Sequence, residues 1–324
     1  MSRGGRILPV GAASVVAAAV GAAAVVAAVA GAGLLVAACG GEGPVDDRPP
    51  RVVSLAPVAT RFVVALGAGR TLVGVDAASA ELIELAELGL APEIVDFAGA
   101  GRLAPDIVIV PDLPEPGALA APRAGPGDVA AGAAPEPGAA GAAVVRFAPH
   151  DLEELYEASR TLGAWLVGDE RALAFESGIG RPLGIVGGRS PDRDRLRVVG
   201  VVSLDPVVFA GGHSFETDLI EIAGGTSVTH GGEDVHVPAT PAAWAALAPE
   251  VALVFTREPP GEAARARARA ALPVDVRVEF FAFDRDAFWL DAPADDARRL
   301  QSLLGALRHE LRADDQDARP PRGD

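Results

Sequence analysis

The chain has 324 residues, half of them hydrophobic, a formal net charge of −16 and a single cysteine. That length holds one large domain or two medium lobes. The acidic balance argues against a nucleic-acid partner, since phosphate binding needs basic patches, and one cysteine rules out an intrachain disulfide.

Arg3 and Arg6 precede an uncharged stretch rich in Ala and Val that ends Leu35-Val36-Ala37-Ala38-Cys39-Gly40. A positive segment followed by an apolar one reads as a secretion signal. Its end resembles a bacterial lipobox, which implies a signal peptide over 1–39, lipidation of Cys39 and anchoring outside the cytoplasmic membrane. The run is also long enough to span a bilayer as an uncleaved anchor. Either reading puts the body of the chain outside the cytoplasm, tethered through residues 40–50, which end in Pro49-Pro50.

An N-terminal lobe is expected over 51–150. Val52-Val53-Ser54-Leu55 is a strand candidate, and Thr60 is placed to cap a helix carrying Phe62, Val63 and Leu66. Leu72 to Val75 is the next strand, followed by an acidic helix around Glu81, Glu84 and Glu87, a short Ile94-Val95 run and the apolar Ile107 to Val110. Such a run is typical of a parallel sheet. Strand and helix alternating in this way predict an α/β layer. Residues 111–142, nearly all Pro, Gly, Ala and acid, read as a low-complexity insertion. Order resumes at Val144.

Residues 151–194 read as a helical connector. Asp151 caps a helix with Leu152, Leu155, Tyr156 and Leu162 on one face, Gly168 ends it and Asp169 starts another. Gly178, Gly180, Pro182, Gly184, Gly187 and Gly188 weaken any helix beyond that point. A C-terminal lobe is expected over 195–311. Its best-defined stretch is Arg197 to Gly225: a Val-rich strand, a break at Asp205-Pro206, a turn at Gly211-Gly212, and a helix capped by Ser214. A loop holding His230 and His236 follows, then a helix around Trp244, a buried strand at Val251 to Phe255, an Arg/Ala helix, alternation at Val274, Val276 and Val278, and a helix carrying Leu300, Leu304 and Leu307. Residues 312–324 read as a disordered, charged tail.

Four motifs in order resemble the class III periplasmic substrate-binding proteins, the ABC-importer receptors for ferric siderophores, haem and vitamin B12. Ser54-Leu55-Ala56-Pro57-Val58-Ala59-Thr60 with Ala65 to Gly69 and Val73-Gly74-Val75 is similar to the family's opening, Ala104 to Val108 to its proline-aspartate strand entry, Arg197 to Gly225 to its second-lobe strand-loop-helix, and Phe288-Trp289 with Pro293 to its closing motif. The resemblance implies two Rossmann-like lobes joined by a helical segment, with a ligand cleft between them, and no enzymatic activity. It implies a monomeric, lipid-anchored solute-binding protein that takes an iron chelate or a corrinoid and hands it to a permease, with no cofactor of its own.

The resemblance places the ligand against loops at strand ends, lined by Ser54, Pro57, Asp76, Phe209, His213, Phe215 and Trp289. Aromatic residues there suit flat macrocycles, although Trp289 reads equally well as core. His213, His230 and His236 flank these loops, but their spacing matches no standard metal motif, so no metal is expected. Arg61 stands where the family has Glu. The two glutamates with which the family docks to a permease fall at Ala98 and Ala242. That departure supports a second reading, a binding or sensory lipoprotein without a transporter. No Ser/His/Asp arrangement, HExxH or P-loop pattern suggests an enzyme.

Overall fold

The computed structural model describes residues 48–111, 142–190 and 194–317. Cys39, the signal and most of the tether, the bulk of the 111–142 insertion and residues 318–324 lie outside the described residues.

The first lobe is a parallel sheet in the order β3-β2-β1-β4-β5. Its strands are β1 Val52–Ser54, β2 Leu72–Val75, β3 Glu93–Ile94, β4 Ile107–Val110 and β5 Ala143–Arg146. β1 pairs with β2 on one side and β4 on the other, so the order reverses at β1. The apolar runs read from the sequence occupy the middle of this sheet, with Val52, Val53 and Ile109 at 0% exposure. Helix α1, Pro57–Ala65, follows β1. It starts four residues earlier than a Thr60 cap would place it, with Ala56 at the cap position. Pro57 occupies the first turn, where a missing N–H costs nothing, and Thr60 is buried inside the helix. Short helices α2 Ala77–Ala80, α3 Ile83–Glu87 and α4 Phe97–Ala100 complete the lobe.

The connector comprises α5 Leu152–Ala158, a π-helical turn at Ser159–Gly163, α6 Ala164–Val167 and α7 Asp169–Gly187. The glycine-rich stretch is therefore helical as far as Gly187, with Gly188 as its C-cap, contrary to the expectation from propensity. Ala172, Ile179, Leu183 and Val186 form one buried face, and tertiary packing of that face outweighs the intrinsic cost of the glycines.

The second lobe is a mixed sheet in the order β11-β10-β6-β7-β9, with β8 Thr226–Ser227 also pairing to β6. β6 Arg197–Leu204, β10 Val251–Thr256 and β11 Arg277–Ala282 run parallel. β7 Val207–Ala210 folds back on β6 as a hairpin across Asp205-Pro206, and β9 His236–Pro238 pairs antiparallel to β7. His236 thus stands on a strand rather than in a loop. Helices α8 Phe215–Ile222, α9 Pro241–Leu247 and α10 Glu262–Ala271 flank the sheet. β11 begins only at Arg277, and Val274 is fully exposed.

After α11, Phe288–Asp291, helix α12 runs from Pro293 to Asp317. It extends six residues into the segment expected to be disordered. Ala297, Leu300, Leu304 and Leu307 face the core, and Gln301 donates to the Val186 carbonyl (3.2 Å) and Ser190 Oγ (2.9 Å) at the end of α7. One continuous apolar cluster holds residues of both lobes. Phe62 of α1 packs against Phe147 (centroids 4.6 Å), Phe175 of α7 (5.5 Å) and Trp289 of α11 (6.1 Å).

Candidate functional site

Parallel strands β6, β10 and β11 bring their C-terminal ends to one edge of the second sheet, beside the start of α8. A cavity of about 520 Å³ lies there. Its apolar wall is Val202, Val208, Phe255 and Phe283, and its polar wall is Ser203, Glu216, His236, Thr256, Arg257 and Arg285. Open α/β sheets bind ligands at this end of their strands.

The backbone around α8 is tightly determined. Ser214 is extended and accepts from Thr217 N (3.2 Å), so it is the N-cap read from the sequence. Ser214 and Thr217 hydroxyls both donate to the Gly211 carbonyl, at 2.9 and 2.7 Å. Gly211 and Gly212 are required by close approach: a Cβ on either would sit 1.9 Å from a carbonyl oxygen, of Asp234 and Gly232 respectively. This clamp sets Glu216 in the first turn of α8, where the helix dipole favours an anion. Glu216 is 3% exposed. Its Oε1 lies 3.9 Å from Arg285 Nε, and Oε2 is buried with no hydrogen-bond partner. Thr256 Oγ1, at the end of β10, is likewise buried and unpartnered. Arg257 lies 2.9 Å from Asp286 and 3.8 Å from Asp284. The His236 ring is open to solvent on one side, but surrounding protein atoms, and then the Arg285 charge, hold its pKa below the ordinary imidazole value.

The loop after β5 meets this site from the connector side. Phe215 N donates to the His150 carbonyl (2.7 Å), and Leu152 N to Asp218 Oδ2 (2.8 Å). Asp151 accepts from Glu154 N (2.8 Å) as the cap of α5, and its other oxygen holds His213 Nδ1 at 3.0 Å. That contact raises the His213 pKa. Burial pushes Asp218 up to about 6, against the lowering effect of the Leu152 N–H. At Glu154 burial acts upward, but hydrogen bonds from His150 outweigh it and its pKa falls.

The residues predicted from the sequence do not come together as one lining. His213 reaches the junction, half exposed and tied to Asp151. Phe209, Phe215 and Trp289 are core residues at 0, 2 and 1% exposure, which corrects the expectation that they face a ligand. Phe209 meets Trp244 edge-on (4.8 Å), Phe215 meets Phe288 (5.0 Å), and Trp289 packs between Phe62 and Phe175. Their large apolar areas are satisfied by other rings. Ser54 is fully buried, 2.8 Å from the Thr60 hydroxyl, which is 2.9 Å from Ser79. Asp76 caps α2 through the Ser79 N–H and also accepts from the Ser79 hydroxyl. These groups, with Pro57, shape the strand-end loops at the point where the first sheet reverses order, and none of them lines the second-lobe cavity. Glu216, Thr256, Arg257 and Arg285 were missed. Thr256 and Arg257 directly follow the apolar run of β10, and Glu216 follows its cap by two, so the strand-end rule was the available signal.

Among the described residues no group of three or more His, Cys, Asp or Glu could hold a metal ion, and no helix is long and apolar enough to cross a membrane.

No family model matches the chain, and no curated protein matches it. Solved structures do. A periplasmic haem-binding protein of Vibrio cholerae aligns with TM-score 0.55 at 19% identity, over 79% of this chain and 98% of its own. A periplasmic vitamin B12-binding protein of the same organism aligns at 0.52 and 17%, over 80% and 97%. An ABC-transporter substrate-binding protein from Listeria monocytogenes aligns at 0.55 and 15%, over 79% and 97%. The fold is therefore the two-lobed α/β fold of the class III binding proteins.

Proposed function

We propose that this protein is an extracytoplasmic, lipid-anchored solute-binding protein of an ABC importer, which binds an iron chelate or a corrinoid and catalyses no reaction. The observation that carries the reading is the cavity at the C-terminal ends of β6, β10 and β11, walled on one side by aromatic rings and on the other by charged groups. A pocket of this kind recognises a small molecule with an apolar body and a few polar handles. The aligned structures, whose names specify haem and vitamin B12, support that class of ligand. The lipobox at Cys39 supports the anchor. Titration of the purified full chain in detergent with haemin, cyanocobalamin and ferric siderophores tests the reading. At least one should bind more tightly than about 10 μM, and failure of all three classes rejects it.

One observation favours a second reading, a binding protein that does not dock to a permease. Ala98 on α4 and Ala242 on α9 are exposed alanines where the resemblance expects docking glutamates. Two of the acidic residues near the first position are already engaged, Glu84 with Arg61 (3.0 Å) and Glu93 with Arg102 (3.6 Å). Co-purification of the chain with a permease encoded beside it would decide between the two.

A further inference from the structure

Six buried side-chain polar atoms among the described residues have no hydrogen-bond partner, and two of them, Glu216 Oε2 and Thr256 Oγ1, belong to the wall of the second-lobe cavity. Buried polar groups are nearly always paired, because an unpaired one retains its desolvation penalty. A carboxylate is the most expensive case. Glu216 is 3% exposed, and the Arg285 guanidinium stands 3.9 Å away, beyond hydrogen-bond distance. Neither the cap at Ser214 nor the clamp on Gly211 uses the Glu216 carboxylate. An apolar or amide side chain at this position would serve the fold better.

We infer that Glu216 and Thr256 determine the specificity of the cavity, which selects a ligand that donates N–H or O–H hydrogen bonds and carries no net negative charge. The inference rests on the binding reading above and narrows it. The unpartnered Oε2 of Glu216 is an acceptor, and a ligand group that donates N–H or O–H satisfies it. Thr256 can accept a second donor or give its own proton to a neighbouring carbonyl. The charges around the cavity point the same way. Arg257 and Arg285 face Glu216, Asp284 and Asp286, two cations against three carboxylates. His236 is held toward its neutral form. A ligand presenting carboxylates here would meet Arg257, which is already paired with Asp286 and Asp284, and a carboxylate placed beside Arg285 would lie against Glu216, leaving it facing another acceptor. Amides, hydroxyls and ammonium groups fit. Propionates and polyanionic catecholates do not.

The test compares ligands of opposite chemistry on the full chain: cyanocobalamin, rich in side-chain amides, against haemin with its two propionates, and, at similar bulk, cationic ferrioxamine B against polyanionic ferric enterobactin. The expected result is that, in every pair of which a member binds, the donor-bearing member binds tenfold or more tightly than its anionic counterpart. Glu216→Gln and Thr256→Val should each weaken that binding about tenfold, the effect expected for losing one hydrogen bond to a buried partner. Neither substitution should lower the thermal midpoint of the ligand-free protein, and Glu216→Gln should raise it, because a structural carboxylate would show the opposite. Tighter binding of haemin or ferric enterobactin, or substitutions that leave affinity untouched, overturns the inference while the binding reading stands. Binding of none of the four overturns both.

Discussion

Asp218 is a single carboxylate with two assignments, a hydrogen bond to the first turn of α5 and a place in the buried N-terminal half of α8. Its pKa, raised by burial from 3.8 to about 6, makes its contribution to folding pH-dependent. A raised carboxylate favours the folded state below its unfolded pKa and loses that advantage as pH climbs through the folded value. Between pH 4 and 7 the native protein should lose about 2–3 kcal/mol of stability from this group. His213, also raised, acts in the same sense, while Glu154, lowered, acts oppositely and loses its contribution as pH falls through its own pKa. Asp218→Asn keeps an acceptor for Leu152 N and should flatten the profile, measured as urea midpoints at pH 5 and 8. An unchanged slope in the variant sinks the assignment. At the same scale, Gly211→Ala should prevent correct closure of the loop over 230–235, since no side-chain adjustment relieves a clash with the Asp234 carbonyl. It should be read as loss of soluble, cooperatively folding protein. Ser214, Asp151 and the Gly211-Gly212 turn were legible in the sequence because capping and tight turns are local chemistry. The partner of His213 was not, because Asp151 lies 62 residues away.

Helix α7 is the element where propensity and packing disagree most. Its glycines at 178, 184 and 187 lie away from other elements, with nothing within 4 Å of a Cβ placed on any of them. They contribute no packing and retain the entropic cost of glycine in a helix. Gly178→Ala and Gly184→Ala should therefore each stabilise the protein by about 0.5–1 kcal/mol, read as a shift in denaturant midpoint without change in slope. Destabilisation by either would mean that the helix needs flexibility there. The buried face of α7 was visible only as scattered apolar residues, and the α12 helix that covers it lies more than a hundred residues downstream. A local reading weighs the glycines and cannot weigh that distant surface. The reverse held for β4 and β10, whose unbroken apolar runs announced buried parallel strands before any pairing was known.

At the scale of the whole molecule, the lobes share one apolar cluster in which Trp289 bridges α1 and α7. Trp289→Ala should cost about 3–5 kcal/mol, and residues of both lobes should lose protection together in hydrogen exchange. A loss confined to the second lobe would show that the bridge is weaker than its geometry suggests. The anchor is tested separately: Cys39→Ser should release the chain from membranes if the lipobox is used, and retention would favour an apolar span. The sequence by itself determined the alternation of strands and helices and the caps at Asp151 and Ser214, because these follow from periodicity and from side chains acting on their own backbone, and its motifs carried the resemblance that implied two lobes. Only the tertiary structure decided which aromatics are core, that α7 is continuous, and that the cavity is lined by Glu216, Thr256 and two arginines. Each of those depends on which strand lies beside which, and therefore on contacts between residues far apart in the chain.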